Sequence, residues 1–171
     1  MPVTLKKVPN AHLEQYYNLL KDPSLSINTG TIPYPITREW AEERLAERNR
    51  EEEEGIRKDR GLYDGDTLVG IAGWFLNERD EMEIGYAVHK DHRGKGLATI
   101  AARLVIEMIR EGGFDGPIYA QYFKDNVASG RVLEKVGFTA VRSTEGISAA
   151  RGGSAPAWVM RLDVKSEGER S

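Results

Sequence analysis

The sequence predicts an α+β (mixed α/β) domain in which helices pack on a sheet of about seven strands. Three observations carry this expectation. From Gly61 to Val88 the chain alternates extended runs with tight turns, the pattern of an antiparallel meander. From Leu97 the period lengthens to that of a helix, with Leu97, Ile100, Ala101, Leu104, Val105 and Met108 on one face. Beyond it a strand and another helix precede a closing pair of strands, so a crossover unit follows the meander.

Val3 to Val8 alternates in polarity and reads as the first strand. Ala11 to Leu20 carries Leu13, Tyr16, Tyr17, Leu19 and Leu20 and reads as a short helix. Pro23, Pro33 and Pro35, with Asn28 and Gly30, make Lys21 to Ile36 an ordered loop or broken helix. Thr37 then offers its hydroxyl to the free amides of a helix that contains Trp40 and Leu45. That helix runs through Glu51-Glu52-Glu53-Glu54, read as a solvated face, and Arg57, Lys58 and Arg60 complement its end.

The meander follows as Gly61 to Tyr63, Thr67 to Leu76 and Met82 to Val88, with turns at Asp64-Gly65-Asp66 and Asn77 to Asp80. Gly112-Gly113 ends the long helix, Ile118 to Tyr122 is a buried strand, and Val127 to Val136 is a helix stopped by Gly137. Thr139 to Ser143 and Ala157 to Leu162 close the sheet around a loop, with Arg151-Gly152-Gly153 at its tip near the acceptor or a partner subunit. No repeat or linker divides the chain, so residues 1–164 are expected to be one domain and 165–171 a disordered tail.

The chain has 171 residues, 24 basic against 27 acidic, so no general affinity for nucleic acid is expected. It contains no cysteine, which excludes disulfides, thiolate metal sites and a cysteine nucleophile. Met1 to Val8 is too polar for a signal peptide and no apolar run has membrane-spanning length, so a cytoplasmic location away from membranes is expected. His12, His89 and His92 lack metal-ligand spacing, and no metal is expected.

The most informative segment joins the strand Ile84-Gly85-Tyr86-Ala87-Val88 to Arg93-Gly94-Lys95-Gly96-Leu97-Ala98-Thr99 at the start of the long helix. Free amides at a helix N-terminus, with the dipole behind them, attract an anion. Glycines let a phosphate approach the backbone closely, and Arg93 and Lys95 add positive charge. The loop lacks the spacing and Lys-Ser/Thr pair of a Walker loop, and Thr99 stands where a dinucleotide fingerprint needs its third glycine. A plain helix-capping turn is the simpler reading of a lone Gly-x-Gly.

Arg93-x-x-Gly96-x-Ala98 resembles the Arg/Gln-x-x-Gly-x-Gly/Ala signature of the GNAT N-acetyltransferase superfamily. Asn126-x-x-Ser129-x-Arg131-x-x-x-Lys135-x-Gly137-Phe138 resembles its next helix, in the branch named for the ribosomal-protein acetyltransferases RimJ and RimL. Ile32-Pro33-Tyr34-Pro35 before an acidic helix is similar to that branch as well. The resemblance implies a mostly antiparallel sheet splayed after its fourth strand, helices on both faces, and acetyl-CoA in the gap.

By that resemblance the backbone of Tyr86, Ala87 and Val88 would meet the pantetheine arm, and Arg93 through Ala98, with Thr99, the pyrophosphate. Asn126 would reach the pantetheine and Arg131 the nucleotide end. The implied chemistry is direct attack of a primary amine on the thioester in a ternary complex. It needs a base, and an acid at the departing sulfur. The family's usual acidic tyrosine is replaced by Leu133, so Ser129 is the first candidate for that role, with Tyr122 and Tyr119 as rivals.

Glu83 is the candidate base, and Glu81 shares its strand face. Tyr34, Trp40, Trp74 and Tyr122 are candidates for lining the acceptor pocket. The acceptor would be a protein N-terminus or a small amine, and a homodimer is expected because dimers are common among similar proteins. The missing tyrosine supports one alternative, a non-catalytic acyl-CoA-binding or regulatory module.

Overall fold

The computed structural model describes residues 2–164, and the tail expected to be disordered lies outside the described residues. Strand β1 (Val3–Lys6) leads through a 3-10 turn to α1 (Leu13–Leu20), α2 (Pro23–Ser26) and α3 (Arg38–Glu53). The meander is β2 (Arg57–Asp64), β3 (Thr67–Leu76) and β4 (Met82–Val88). Helix α4 (Leu97–Glu111), β5 (Ile118–Phe123), α5 (Val127–Lys135), β6 (Thr139–Ser148) and β7 (Gly153–Leu162) complete the chain. The seven strands form one sheet in the order β1-β2-β3-β4-β5-β7-β6. Every neighbouring pair is antiparallel except β4 and β5.

Two apolar layers sandwich the sheet. On one face α1 and α3 bury Tyr16, Leu19, Leu20, Ala41 and Leu45 against Tyr63 and Leu68. On the other, Ala101, Ala102, Val105 and Ile109 of α4, with Leu133 of α5, pack on Leu62, Val69, Ala72 and Ile84. A bulge where Leu62 pairs with Gly70 but Tyr63 with Leu68 inserts one residue and switches which face each side chain takes. Burial on both sides explains why β3 reads as a continuous apolar run rather than an alternating one.

The Lys21 to Ile36 stretch fits its reading as a loop or broken helix, with the short helix α2 capped where the Asp22 carboxylate accepts from the Ser24 amide at 3.0 Å. Two other segments differ from the sequence reading. Strand β2 begins at Arg57, so the basic cluster lies on the sheet rather than at a helix end. There Arg57 pairs with Glu51 at 3.2 Å and Arg60 with Glu52 at 2.7 Å, which gives the acidic run a packing role. Strands β6 and β7 pair as far as Ser148 and Gly153, so the expected long loop is a hairpin with a tight tip. Among the described residues no helix is long and apolar enough to cross a membrane.

Gly73 is fixed by close backbone approach. A Cβ there would lie 2.2 Å from the Lys58 carbonyl and 2.9 Å from Asp59 Oδ1, whereas one at Gly85 would meet nothing nearer than Phe75 at 4.0 Å. Gly73→Ala is therefore expected to cost about 2 kcal/mol and lower the melting midpoint by roughly 5 °C. Gly85→Ala should leave the midpoint within about 1 °C of wild type in the same differential scanning experiment.

Candidate active site

Strands β4 and β5 pair only at Met82–Ile118 and Glu83–Tyr119. Beyond that point Ile84–Val88 and Ala120–Phe123 continue without pairing to each other, and a cleft of about 810 Å³ opens between them. The His89 amide donates to Val69 of β3 at 2.8 Å. By the two-residue alternation of a strand, Gly85 and Ala87 also direct their backbone groups to β3. The amides and carbonyls of Tyr86 and Val88 consequently face the gap. A backbone edge of this kind accepts an extended ligand as a further strand would be accepted.

At the end of this edge α4 begins without a side-chain cap: Gly96 occupies the N-cap in the left-handed region (φ 76°), following Gly94 at φ 80°. A Cβ would meet no atom within 4 Å at either glycine, so both stand over open space. Gly94, Gly96, Leu97, Ala98 and Thr99 line the cleft. Uncapped amides with the helix dipole behind them suit an anion. Lys95 is exposed and lies outside the lining. Arg93 lines it in part, but its guanidinium holds the Val88 carbonyl (3.1 Å) and Ser24 Oγ (3.1 Å), with Asp22 at 3.8 Å. The positive charge expected of Arg93 is therefore partly neutralised, and the backbone amides carry more of the anion-binding capacity.

The two candidate catalytic residues approach the gap from opposite faces of β4. Glu83 pairs with Phe75 on the face covered by α1 and α3. Asn77 Nδ2 donates to Glu83 Oε1 at 3.1 Å and to Glu81 Oε1 at 3.2 Å. Burial pushes the Glu83 carboxyl above its ordinary value, and Glu78 and Glu81 add to this, against the Asn77 hydrogen bond and Arg142. On the α4 side, Ser129 Oγ lies 3.0 Å from Tyr86 Oη. Burial drives the Tyr86 phenol up to about 12, opposed by its bond to Ser129, so it stays protonated at neutral pH. The Asn126 side chain caps α5 by accepting from the Ser129 amide at 3.4 Å and also lines the cleft.

Other expected site residues separate. Tyr122 lines the cleft, but it packs beneath α5 against Gly130, on the Ser129 face rather than the Glu83 face. Tyr119 stands beside Glu83. Tyr34 is exposed, Trp40 packs into the α1–α3 layer, and Trp74 packs on the α4 layer; none of the three lines the cleft. Strand alternation puts Trp74 on the face opposite Glu83. Arg131 is exposed outside the lining. Arg151 instead ties the hairpin tip to Asp125 (2.8 and 2.9 Å), the Ile27 carbonyl (2.6 Å) and Asn28 (3.2 Å). Among the described residues no group of three or more His, Asp or Glu could hold a metal ion.

A family model described as an acetyltransferase (GNAT) domain matches residues 3–139. The chain belongs to the GNAT acetyltransferase family. It is 38% identical over 78 residues to an uncharacterized N-acetyltransferase YjdG of Bacillus subtilis, covering 44% of this chain and 46% of that one. It is 35% identical over 97 residues to a probable N-acetyltransferase YjcK of the same organism, covering 52% and 54%. The chain thus spans about half the length of the curated relatives it matches. RimL, a ribosomal L7/L12 alpha-N-protein acetyltransferase solved with coenzyme A, superposes at a TM-score of 0.83 with 14% identity, covering 95% and 94% of the two chains. At that identity the likeness is one of fold.

Two residues at this cleft were not legible as side-chain contributors. Tyr86 was expected to act through its backbone alone, although its alternation with Ile84 already turns the ring toward α4. Asn77 read only as a turn residue. Asn77→Asp should keep the acceptor that caps the turn while exchanging the donor to Glu83 for a negative charge. The Glu83 carboxyl is then expected to titrate higher still, measured by carbon-13 NMR with Glu83→Gln assigning the resonance.

Proposed function

We propose that this acetyltransferase brings acetyl-CoA and a primary amine together through the gap between β4 and β5, in one ternary complex. The observation that carries this reading is the open edge of β4 ending at the uncapped, glycine-preceded N-terminus of α4. Acetyl-CoA supplies a thioester, an amide-rich arm and a pyrophosphate. The backbone groups of Tyr86 and Val88 fit the arm, and the amides at Gly96, Leu97 and Ala98 fit the pyrophosphate. Asn126 stands at the same wall. RimL, named for acetylating a ribosomal protein at its α-amine, shares the fold and supports a protein N-terminus or a small amine as acceptor.

Glu83 takes the proton that the attacking amine must lose. A base is effective when its pKa lies near the working pH, and burial moves Glu83 in that direction. Ser129 gives a hydrogen bond at the site of the departing sulfur. Tyr86, protonated across the working range, shares a hydrogen bond with Ser129 Oγ in which either hydroxyl can donate; with the phenol as donor, the serine proton is free to point into the cleft. The missing family tyrosine at Leu133 is thereby replaced by a two-hydroxyl pair, which favours an enzyme over a non-catalytic acyl-CoA-binding module. Holding amine and thioester at one gap also removes much of the entropic barrier to their meeting.

Calorimetric titration with acetyl-CoA, followed by thiol release with a panel of amines, tests this reading. Wild type is expected to bind acetyl-CoA saturably and release thiol, with kcat/KM rising as Glu83 ionises, at a pH above the ordinary carboxylate range. Glu83→Gln should bind acetyl-CoA unchanged, lose about 100-fold or more in turnover and lose that limb of the pH profile. Full turnover with an unchanged profile in Glu83→Gln would remove Glu83 as the base. Absence of binding by folded wild type would remove the whole reading.

A further inference from the structure

The face of the cleft that carries Glu83 is charged oppositely at its two ends. Glu81 and Glu83 stand on β4, bridged by Asn77. In the same row across the sheet Glu83 pairs with Phe75, and Phe75 with Arg57, so Arg57 lies two strands away, about 10 Å along the row. The next row runs from Asp59 to Gly73 and Gly85; Gly85 leaves open floor, whereas the space over Gly73 is taken by the Lys58 carbonyl and Asp59 Oδ1. Arg44 of α3 closes the far end and lines the same cleft.

Three guanidiniums gather at that far end, and two of them, Arg48 and Arg57, share two carboxylates. Arg48 contacts Glu51 at 2.7 Å and Asp59 at 3.4 Å, while Arg57 contacts the same pair at 3.2 and 3.8 Å. Glu47 reaches Arg48 at 3.8 Å from a position 57% exposed. Arg44 has no carboxylate within 4 Å among the described residues. Its Nη1 donates to the Thr31 hydroxyl at 3.1 Å, its guanidinium lies 5.5 Å from the Trp40 ring, and its Nε has no hydrogen-bond partner. The side chain is nonetheless buried, with the residue 9% exposed. Burial disfavours its charge and the neighbouring Arg48 adds to this, while Tyr16 and the more distant Asp59 oppose it only in part. A planar guanidinium in that state is matched by a carboxylate, which can accept two parallel hydrogen bonds from it.

We propose that the acceptor is a primary amine that also carries a carboxylate, with the amine at Glu83 and the carboxylate at Arg44. The assignment of the amine end rests on the acetyl-transfer reading of Glu83. The bipolar chamber disfavours polyamines, whose second cation would meet Arg44 and Arg57. Two sources offer the same pair of groups: a free amino acid, and the N-terminus of a chain with an acidic residue near its start.

The test compares matched acceptors by thiol release. One arm sets glutamate against glutamine amide; the other sets a Ser-Glu-Ala peptide amide against Ser-Gln-Ala amide. In one arm the carboxylate member is expected to have a kcat/KM roughly tenfold or more above its neutral partner, and the arm that shows it identifies the source. Arg44→Met should bring that ratio to about one, and Arg44→Lys, which keeps the charge but loses the fork, should retain part of it. Independently of turnover, the Arg44 Nε NMR signal, assigned by its loss in Arg44→Met, should shift with the carboxylate ligands and not with the neutral ones. Equal kcat/KM within both arms, a preference that survives in Arg44→Met, or an unmoved Nε signal would overturn the proposal. A shifted signal without thiol release from any amine would leave the carboxylate site standing and overturn acetyl transfer instead.

Discussion

Everything at this site depends on the loss of backbone pairing between two parallel strands. β4 and β5 are joined at Met82–Ile118 and Glu83–Tyr119 and then part. Buried backbone groups are almost always satisfied, so a strand edge left open inside a domain invites a ligand that can pair with it. The sheet can sustain the gap because β3 holds β4 along its whole length and β7 holds β5 along its whole length. The helical layers on the two faces supply the apolar burial that the missing pairs do not.

The gap also solves a problem of access. A sheet is ordinarily a wall between its faces, and here Glu83 and Ser129 lie on different sides of it. Through the gap, one reagent can approach from the α1–α3 face and the other from the α4–α5 face, so neither has to displace the other. The side chains are prepared before any ligand arrives: Asn77 steers the Glu83 carboxylate, Asn126 caps the helix that carries Ser129, and Tyr86 reaches Ser129 from the strand opposite. Pre-positioned groups of this kind need little reorganisation during reaction.

The sequence was most legible where local chemistry and the final fold agree. The turn at Asn77 to Asp80, the strand Met82–Val88 and the glycine stop after α4 all lie where turn residues and periodicity place them. The glycine loop before α4 was legible because Gly94 and Gly96 mark positive φ angles that few other residues tolerate. What stayed hidden is tertiary. Arg57 looked like part of a helix end because its partner Glu51 is close in sequence, whereas it lies on the strand that follows. Trp74 looked like a pocket residue because aromatic character says nothing about which sheet face it takes. The reach of Tyr86 to Ser129 joins positions 43 residues apart, and no local pattern encodes such a distance.

Amide hydrogen exchange along β4, followed by NMR with and without saturating acetyl-CoA, tests the central claim most directly. If the open edge receives the ligand, the Tyr86 and Val88 amides should slow by about tenfold or more on binding. The Gly85 and Ala87 amides, already turned toward β3, should change little. Saturable binding that leaves Tyr86 and Val88 exchanging at their free rates would contradict the account and place the ligand elsewhere on the molecule.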